Sequence, residues 1–167
     1  MIQIVKGSNE DFPTIQKIAH LTWPGTFKNI LSEDQISYML EMMYSLSSLT
    51  EQIEKKKHKF FLAKENGKYL GFASCEINYS NSPKTKIHKI YILPEAQGMG
   101  VGKALIAKIT ETAINYHNQL LILNVNRYNP SIKVYEKWGF AIVKEENIPI
   151  GNGYLMEDFV MEKEIKK

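Results

Sequence analysis

A single cysteine stands among the 167 residues, which excludes an internal disulfide and any multi-cysteine metal site, and no metal is expected. Cys75 lies in the alternating stretch Phe72-Ala73-Ser74-Cys75-Glu76-Ile77, the pattern of a half-buried strand, and no adjacent base is evident to activate its thiol. No apolar run approaches the roughly 20 residues that span a bilayer, so no membrane partner is expected. The opening MIQIVKGSNED has no hydrophobic signal core, and a cytoplasmic protein is predicted. A net charge of +3 is too small to imply a polyanionic partner. The one basic run, Lys55–Lys59 with His58 inside it, falls at the end of a predicted helix, where cations complement the carbonyl end. Basic residues are not interleaved with aromatics, and no nucleic-acid partner is expected. Internal repeats and low-complexity linkers are absent too. With 44% apolar and 23% charged residues, the chain reads as one soluble globular domain over residues 1–167.

Local patterning then supplies the elements. Ile2 and Ile4 alternate in a short strand ending at Gly7. Ser8 and Asn9 are good N-caps for a helix with Phe12, Ile15, Ile18, Ala19 and Thr22 on one face, predicted to stop before Trp23-Pro24-Gly25. Ser32 with Gln35 reads as a capping box for a second helix through Met43, and Ser48 with Glu51 as one for a third ending near Lys57. Asn66-Gly67 is a two-residue hairpin signal between the segment Lys59–Glu65 and the strand Tyr69–Tyr79. Leu120–Val125 is an unbroken apolar run, as in a strand covered on both faces. A helix opens at Asn129-Pro130-Ser131 and ends at Gly139. Two strands follow, beginning at Phe140–Lys144 and at Tyr154, with Gly151-Asn152-Gly153 turning between them. Helices bracket strands of mixed direction, which predicts an α/β sandwich.

The segment Lys86–Ala113 organises this pattern. It reads as an apolar strand, a proline break at Pro94, a turn holding Gly98, Gly100 and Gly102, and a helix. The first backbone N–H groups of a helix lack intrahelical acceptors and carry the positive end of its dipole, so such a turn suits an anion. Glycines let a phosphate approach without meeting a Cβ. The ending Gly102-Lys103-Ala104 lacks the hydroxyl that a nucleoside triphosphate loop uses on magnesium, and no acidic residue stands where a dinucleotide fold needs one.

Gln97-Gly98-Met99-Gly100-Val101-Gly102 resembles the Arg/Gln-x-x-Gly-x-Gly/Ala signature of the GNAT acetyltransferase superfamily. Asn129 to Phe140 resembles that family's N-x-x-A-x-x-x-Y-x-x-x-G-F block, with Ile132 where alanine is commoner. The resemblance implies a GNAT fold, a mixed central sheet flanked by helices in three layers (α/β/α). It implies acetyl-CoA as co-substrate and N-acetyl transfer to an amine by direct attack. The WPGTF loop and the GNGYLMEDFVMEK ending resemble polyamine acetyltransferases of the PaiA type, so a polyamine or other small amine is the expected acceptor. A protein or peptide amine, or a non-catalytic acyl-CoA-binding module, is the alternative. The family also makes a homodimer a partner to consider.

By the same resemblance, backbone from Gly98 through Met99, Gly100, Val101 and Gly102 to Lys103 cradles the pyrophosphate, with Gln97 at the entrance. Gln97 stands where arginine is common and adds no charge. The backbone of Ile90, Ile92 and Leu93 pairs with the pantetheine arm as an added strand, and an N–H near Ile92 polarises the thioester carbonyl. Asn129 contacts the arm or caps the helix before Pro130. Tyr135 matches the general acid for the leaving thiolate, or is a core tyrosine. His88 lies four residues before Ile92, on the same face of a regular strand, and an unperturbed imidazole suits a general base. A structural histidine is the other reading. Glu76, Glu157 and Asp158 are acidic candidates, and Glu157 is assigned to the acceptor site. Trp23 and Tyr38, with Phe27 and Tyr44, form the expected aromatic acceptor wall, either as cation–π partners or as core.

Overall fold

Two strands joined by Asn66-Gly67 seed the sheet: β2, Lys59–Glu65, and β3, Lys68–Glu76. Both turn residues have positive φ, 52° and 77°, as a tight hairpin matched to strand twist requires. The computed structural model describes residues 1–166. Its seven strands lie in the order β1-β2-β3-β4-β5-β7-β6, where β1 is Gln3–Lys6, β4 Lys84–Ile92, β5 Leu120–Asn126, β6 Ala141–Gly151 and β7 Tyr154–Glu164. Every neighbouring pair is antiparallel except β4 and β5. The five helices are α1 Phe12–Phe27, α2 Glu33–Tyr44, α3 Leu46–Glu54, α4 Val101–Asn115 and α5 Ser131–Lys137.

Residues Leu70 to Cys75 of β3 are all buried. Successive strand residues face opposite sides, so both faces of β3 are covered. The helices packed on it are α1 and α4, which therefore form the two outer layers, while α2 packs on α1 and α3 on α2. The core runs through both interfaces, with Ile15, Trp23, Leu62, Phe72, Leu105, Ile109 and Leu121 at 0–1% exposure. This is the mixed α/β/α arrangement expected. No helix among the described residues is long and apolar enough to cross a membrane.

Several local expectations are corrected. Helix α1 does not stop before Trp23 but runs through Pro24 to Phe27. The carbonyl that Pro24 leaves without a donor belongs to His20 on the exposed side, where water can serve it. Trp23 and Phe27, four residues apart and buried together with ring centroids 4.7 Å apart, hold the last turn in place. Helix α3 begins one turn earlier than expected, because Ser45 rather than Ser48 is the cap; its hydroxyl accepts from the Ser48 N–H. The strand after Asn66-Gly67 ends at Glu76 and not Tyr79, since Asn78 and Ser80 turn the chain with φ of 55° and 57°. Strand β6 is also longer than its apolar start Phe140–Lys144 suggests. Cys75 is fully buried, not half-buried, and burial pushes its thiol up to about 12, so it is inert.

Candidate active site

The parallel pairing of β4 with β5 runs only from Lys84↔Leu120 to Ile87↔Leu123, although β4 continues to Ile92 and β5 to Asn126. Beyond that point the strands diverge, and the gap opens into a cavity of about 880 Å³. The Leu93 N–H bonds the Leu70 carbonyl on β3 at 2.9 Å. Main-chain directions alternate along a strand, so the amides of Ile90 and Ile92 point to the other side, toward the gap. Leu93 itself is excluded from that edge: its N–H is held by Leu70 and its carbonyl accepts from Ala96. The strand-like contact expected of Ile90, Ile92 and Leu93 is thus available at the first two.

At the mouth of the gap the chain turns into α4. Gly98 and Gly100 have φ of 82° and 84°, and the space where a Cβ would stand is open at both. Among the described residues no backbone carbonyl accepts from the N–H groups of Gly98, Gly100, Val101, Gly102 or Lys103. Gly102 is fixed by packing instead: a Cβ there would stand 3.0 Å from Ile92 Cδ1 and 3.0 Å from Trp138 Cη2. The Gln97 side-chain amide lies 3.5 Å from the Ile92 carbonyl, bridging turn and strand. Lys103 lines the cavity, whereas the Met99 side chain projects outward, half-exposed.

Asn129 and Tyr135 both line the cavity, so helix α5 forms the wall on the β5 side. The Asn129 side-chain oxygen accepts from the Ser131 N–H at 2.9 Å, so it caps α5 while standing at the cavity. Tyr135 is 8% exposed, edge-on to Trp138 and Phe140. Burial pushes its phenol well above the ordinary value, which keeps it protonated at neutral pH.

His88 lies at a register shift, since Ser74 pairs with Lys89 but Cys75 pairs with Ile87, which makes His88 the extra residue of a β-bulge. Bulges re-aim side chains, and His88 is among the residues of β4 that line the cavity. Its Nε2 is 2.9 Å from Glu76 Oε1. His58 stacks on it, centroids 4.1 Å apart, with Nε2 3.3 Å from the same oxygen. Sequence reasoning placed His58 in a solvated helix end, yet it is 8% exposed. Burial, with help from His58 and the Lys89, Lys86 and Lys56 ammonium groups, pushes His88 down to about 2. Burial and the same kind of neighbours hold His58 at about 4. Both rings are therefore neutral, and His88 does not keep the near-neutral pKa on which the base expectation rested. Burial raises the Glu76 carboxyl, opposed by Lys56 and Lys86.

The far end of the cavity lies under the β6–β7 hairpin. Trp23 lines it, 1% exposed, with its indole N–H 3.4 Å from the Tyr44 hydroxyl. Tyr38 does not line it: its hydroxyl donates to the Ile150 carbonyl at 2.6 Å, and Gln35 on the same helix donates to Leu155 at 3.0 Å, so α2 is tied to the hairpin. Glu157 also lies outside the lining and faces Arg127 at 3.7 Å. Its neighbour Asp158 points inward, 3% exposed, and is the one carboxylate among the described lining residues. Asp158 is held by the Asn124 amide at 3.3 Å, and Asn124 in turn accepts from Lys86. Register explains the exchange. Asp158 pairs with Asn126 on the central strand β5, and its side chain shares the cavity face, so alternation turns Glu157 away.

Sheet order, splayed strands and glycine turn together describe a coenzyme A-dependent acyltransferase. The model of the Acetyltransferase (GNAT) family matches residues 15–140, and the chain belongs to that family, whose reaction class is acetyl-CoA-dependent acetyl transfer. The chain is 28% identical over 159 residues to the uncharacterized N-acetyltransferase YuaI of Bacillus subtilis, covering 94% of this chain and 90% of that protein. It is 26% identical over 167 residues to the spermidine N(1)-acetyltransferase of Thermoplasma acidophilum, covering 97% and 96%. Among solved structures, the PaiA N-acetyltransferase of Thermoplasma acidophilum in complex with coenzyme A superposes with a TM-score of 0.82 at 26% identity, over 98% of this chain and 99% of that one.

Proposed function

We propose that this chain moves the acetyl group of acetyl-CoA directly onto a primary amine of a small polycation of the polyamine class. The observation that carries the acceptor is Asp158, a buried carboxylate that lines the same cavity as Trp23 and Phe27. A second ammonium group of the acceptor would meet its counter-charge there while the reacting amine stands near His88. The names of the spermidine and PaiA relatives agree with this reading.

The fit to the donor rests on free backbone. The unpaired N–H groups of Gly98, Gly100, Val101, Gly102 and Lys103 suit the pyrophosphate, and the absence of a side chain at Gly98 and Gly100 permits close approach. The cleft-facing amides of Ile90 and Ile92 suit an extended arm, and the Ile92 N–H would stabilise the negative charge that develops on the thioester oxygen. During transfer a C–N bond forms to the attacking amine and the C–S bond breaks. The proton lost by the amine goes to His88 through the nitrogen left free by Glu76, and the Nε2 proton passes to Glu76. The two groups then act as one coupled base, which replaces the expected role of His88 alone. The protonated Tyr135 phenol supplies a proton to the departing thiolate.

Thiol release from acetyl-CoA, measured across polyamines, amino acids and peptides, tests this. Polyamines should give the highest kcat/KM, and Asp158→Asn should raise KM for them about 10-fold, the worth of one partly screened charge pair. Turnover confined to peptides would refute the acceptor. No stimulation by any amine, with coenzyme A bound normally, would favour a non-catalytic module.

A further inference from the structure

We infer that His58, Glu76 and His88 form a three-ligand site for a divalent transition-metal ion of the zinc type. The three side chains reach one point from separate places: His58 from the segment before β2, Glu76 from the end of β3 and His88 from the bulge in β4. Their ligand atoms all lie within 4.8 Å of one another. Glu76 Oε1 is 2.9 Å from His88 Nε2 and 3.3 Å from His58 Nε2. Ligands bound tetrahedrally at ~2.1 Å stand ~3.4 Å apart, so the two carboxylate-to-imidazole spacings already suit a zinc-sized ion, which would enter as the stacked rings, 4.1 Å apart, tilt to bring both nitrogens onto it.

His58 supplies a second, independent observation. Its side chain is 6% exposed, and its Nδ1 has no hydrogen-bond partner among the described residues. Its other nitrogen makes only the longer contact to an oxygen that His88 already holds. A buried imidazole is normally engaged on both nitrogens. Here both rings lean on one carboxylate oxygen, which leaves His58 with coordination capacity to spare.

The chemistry of the donors selects the ion. Two imidazoles and one carboxylate suit zinc, cobalt, nickel or copper, whereas magnesium and calcium require more oxygen ligands. The neighbouring Lys56, Lys86 and Lys89 ammonium groups, which act on both imidazoles or on Glu76, add repulsion that only strong metal–nitrogen bonds overcome. Three protein ligands leave a fourth position for water or another ligand. The cysteine count gave no hint of this site, because none of its ligands is a thiolate. A filled site removes His88 as a proton acceptor, so zinc should suppress acetyl transfer. That consequence rests on the function proposed above, but the binding does not.

Cobalt(II) titration of the chelator-stripped full chain reads the site directly, because a four-coordinate ion gives visible d–d absorption. One equivalent should saturate the band, and zinc should abolish it. His58→Gln and Glu76→Gln should each weaken binding at least 10-fold while the far-UV spectrum and thermal transition persist. The chain has four histidines, and replacing the exposed pair, His20→Gln with His117→Gln, should leave binding unchanged. No saturable band, equal affinity in the folded Glu76→Gln variant, or loss of binding in the His20/His117 variant would overturn the site.

Discussion

Acidification should destabilise this protein well before its carboxylates titrate. An unfolded histidine has a pKa near 6.5, whereas His58 is held at about 4 and His88 at about 2 by burial and neighbouring cations. Below pH 6.5 the unfolded chain therefore binds more protons than the folded one. Stability is lost as pH falls from that value toward each folded pKa. At pH 5 the unfolded ring is almost fully protonated and the folded ring almost fully neutral. Each histidine then costs about 2 kcal/mol relative to pH 7 or above. Glu76 and Asp158, both raised by burial, bind protons more readily when folded and pull the other way. The two histidines together set an upper bound of about 4 kcal/mol on the loss, a large share of an ordinary domain's stability, and the carboxyls reduce it. Urea unfolding followed by tryptophan fluorescence at pH 7 and pH 5, at equal ionic strength, measures it. The loss should shrink by about 2 kcal/mol in His58→Gln. Equal midpoints at the two pH values, or the same pH dependence in that variant, would refute the buried, neutral state of this pair.

Other outcomes follow from the site. Tyr135→Phe should lower kcat by about 10²-fold or more while the calorimetric Kd for coenzyme A stays within error, since the ring is retained and only the proton is lost. Gly100→Val should raise the acetyl-CoA Kd by at least about 10-fold, because φ is 84° and the branched side chain would fill the space left open for an anion; unchanged binding would remove the turn from the donor site. Tyr38→Phe removes the 2.6 Å bond to the Ile150 carbonyl and should cost about 1 kcal/mol in urea unfolding, with kcat unaltered because Tyr38 stands outside the cavity.

Most of the scaffold was legible wherever a short-range rule decided the outcome. Asn66-Gly67 specified its hairpin through positive φ, and the Lys86–Ala113 stretch specified strand, turn and helix. The run from Leu120 announced a strand covered on both sides. What escaped depended on distant partners. Pro24 looked like a helix end because the packing of Trp23 and Phe27 against residues far along the chain is not a local property. The choice between Glu157 and Asp158 turned on register with β5. The divergence of β4 from β5 after Ile87, which creates the cavity, has no signature in either strand alone. Glu76 and His58 could not be joined to His88, since only folding brings these three positions within one cluster. The bulge that aims His88 likewise appears only once β3 and β4 are aligned.

Amine acetylation from acetyl-CoA is read out by the rate of free thiol appearing when the chain is mixed with acetyl-CoA and spermidine. Thiol release should be saturable, matched one for one by N-acetylated amine in mass spectrometry, and lost in Tyr135→Phe. Coenzyme A bound with ordinary affinity, but no thiol released above the rate without amine for spermidine or any other amine, would contradict it.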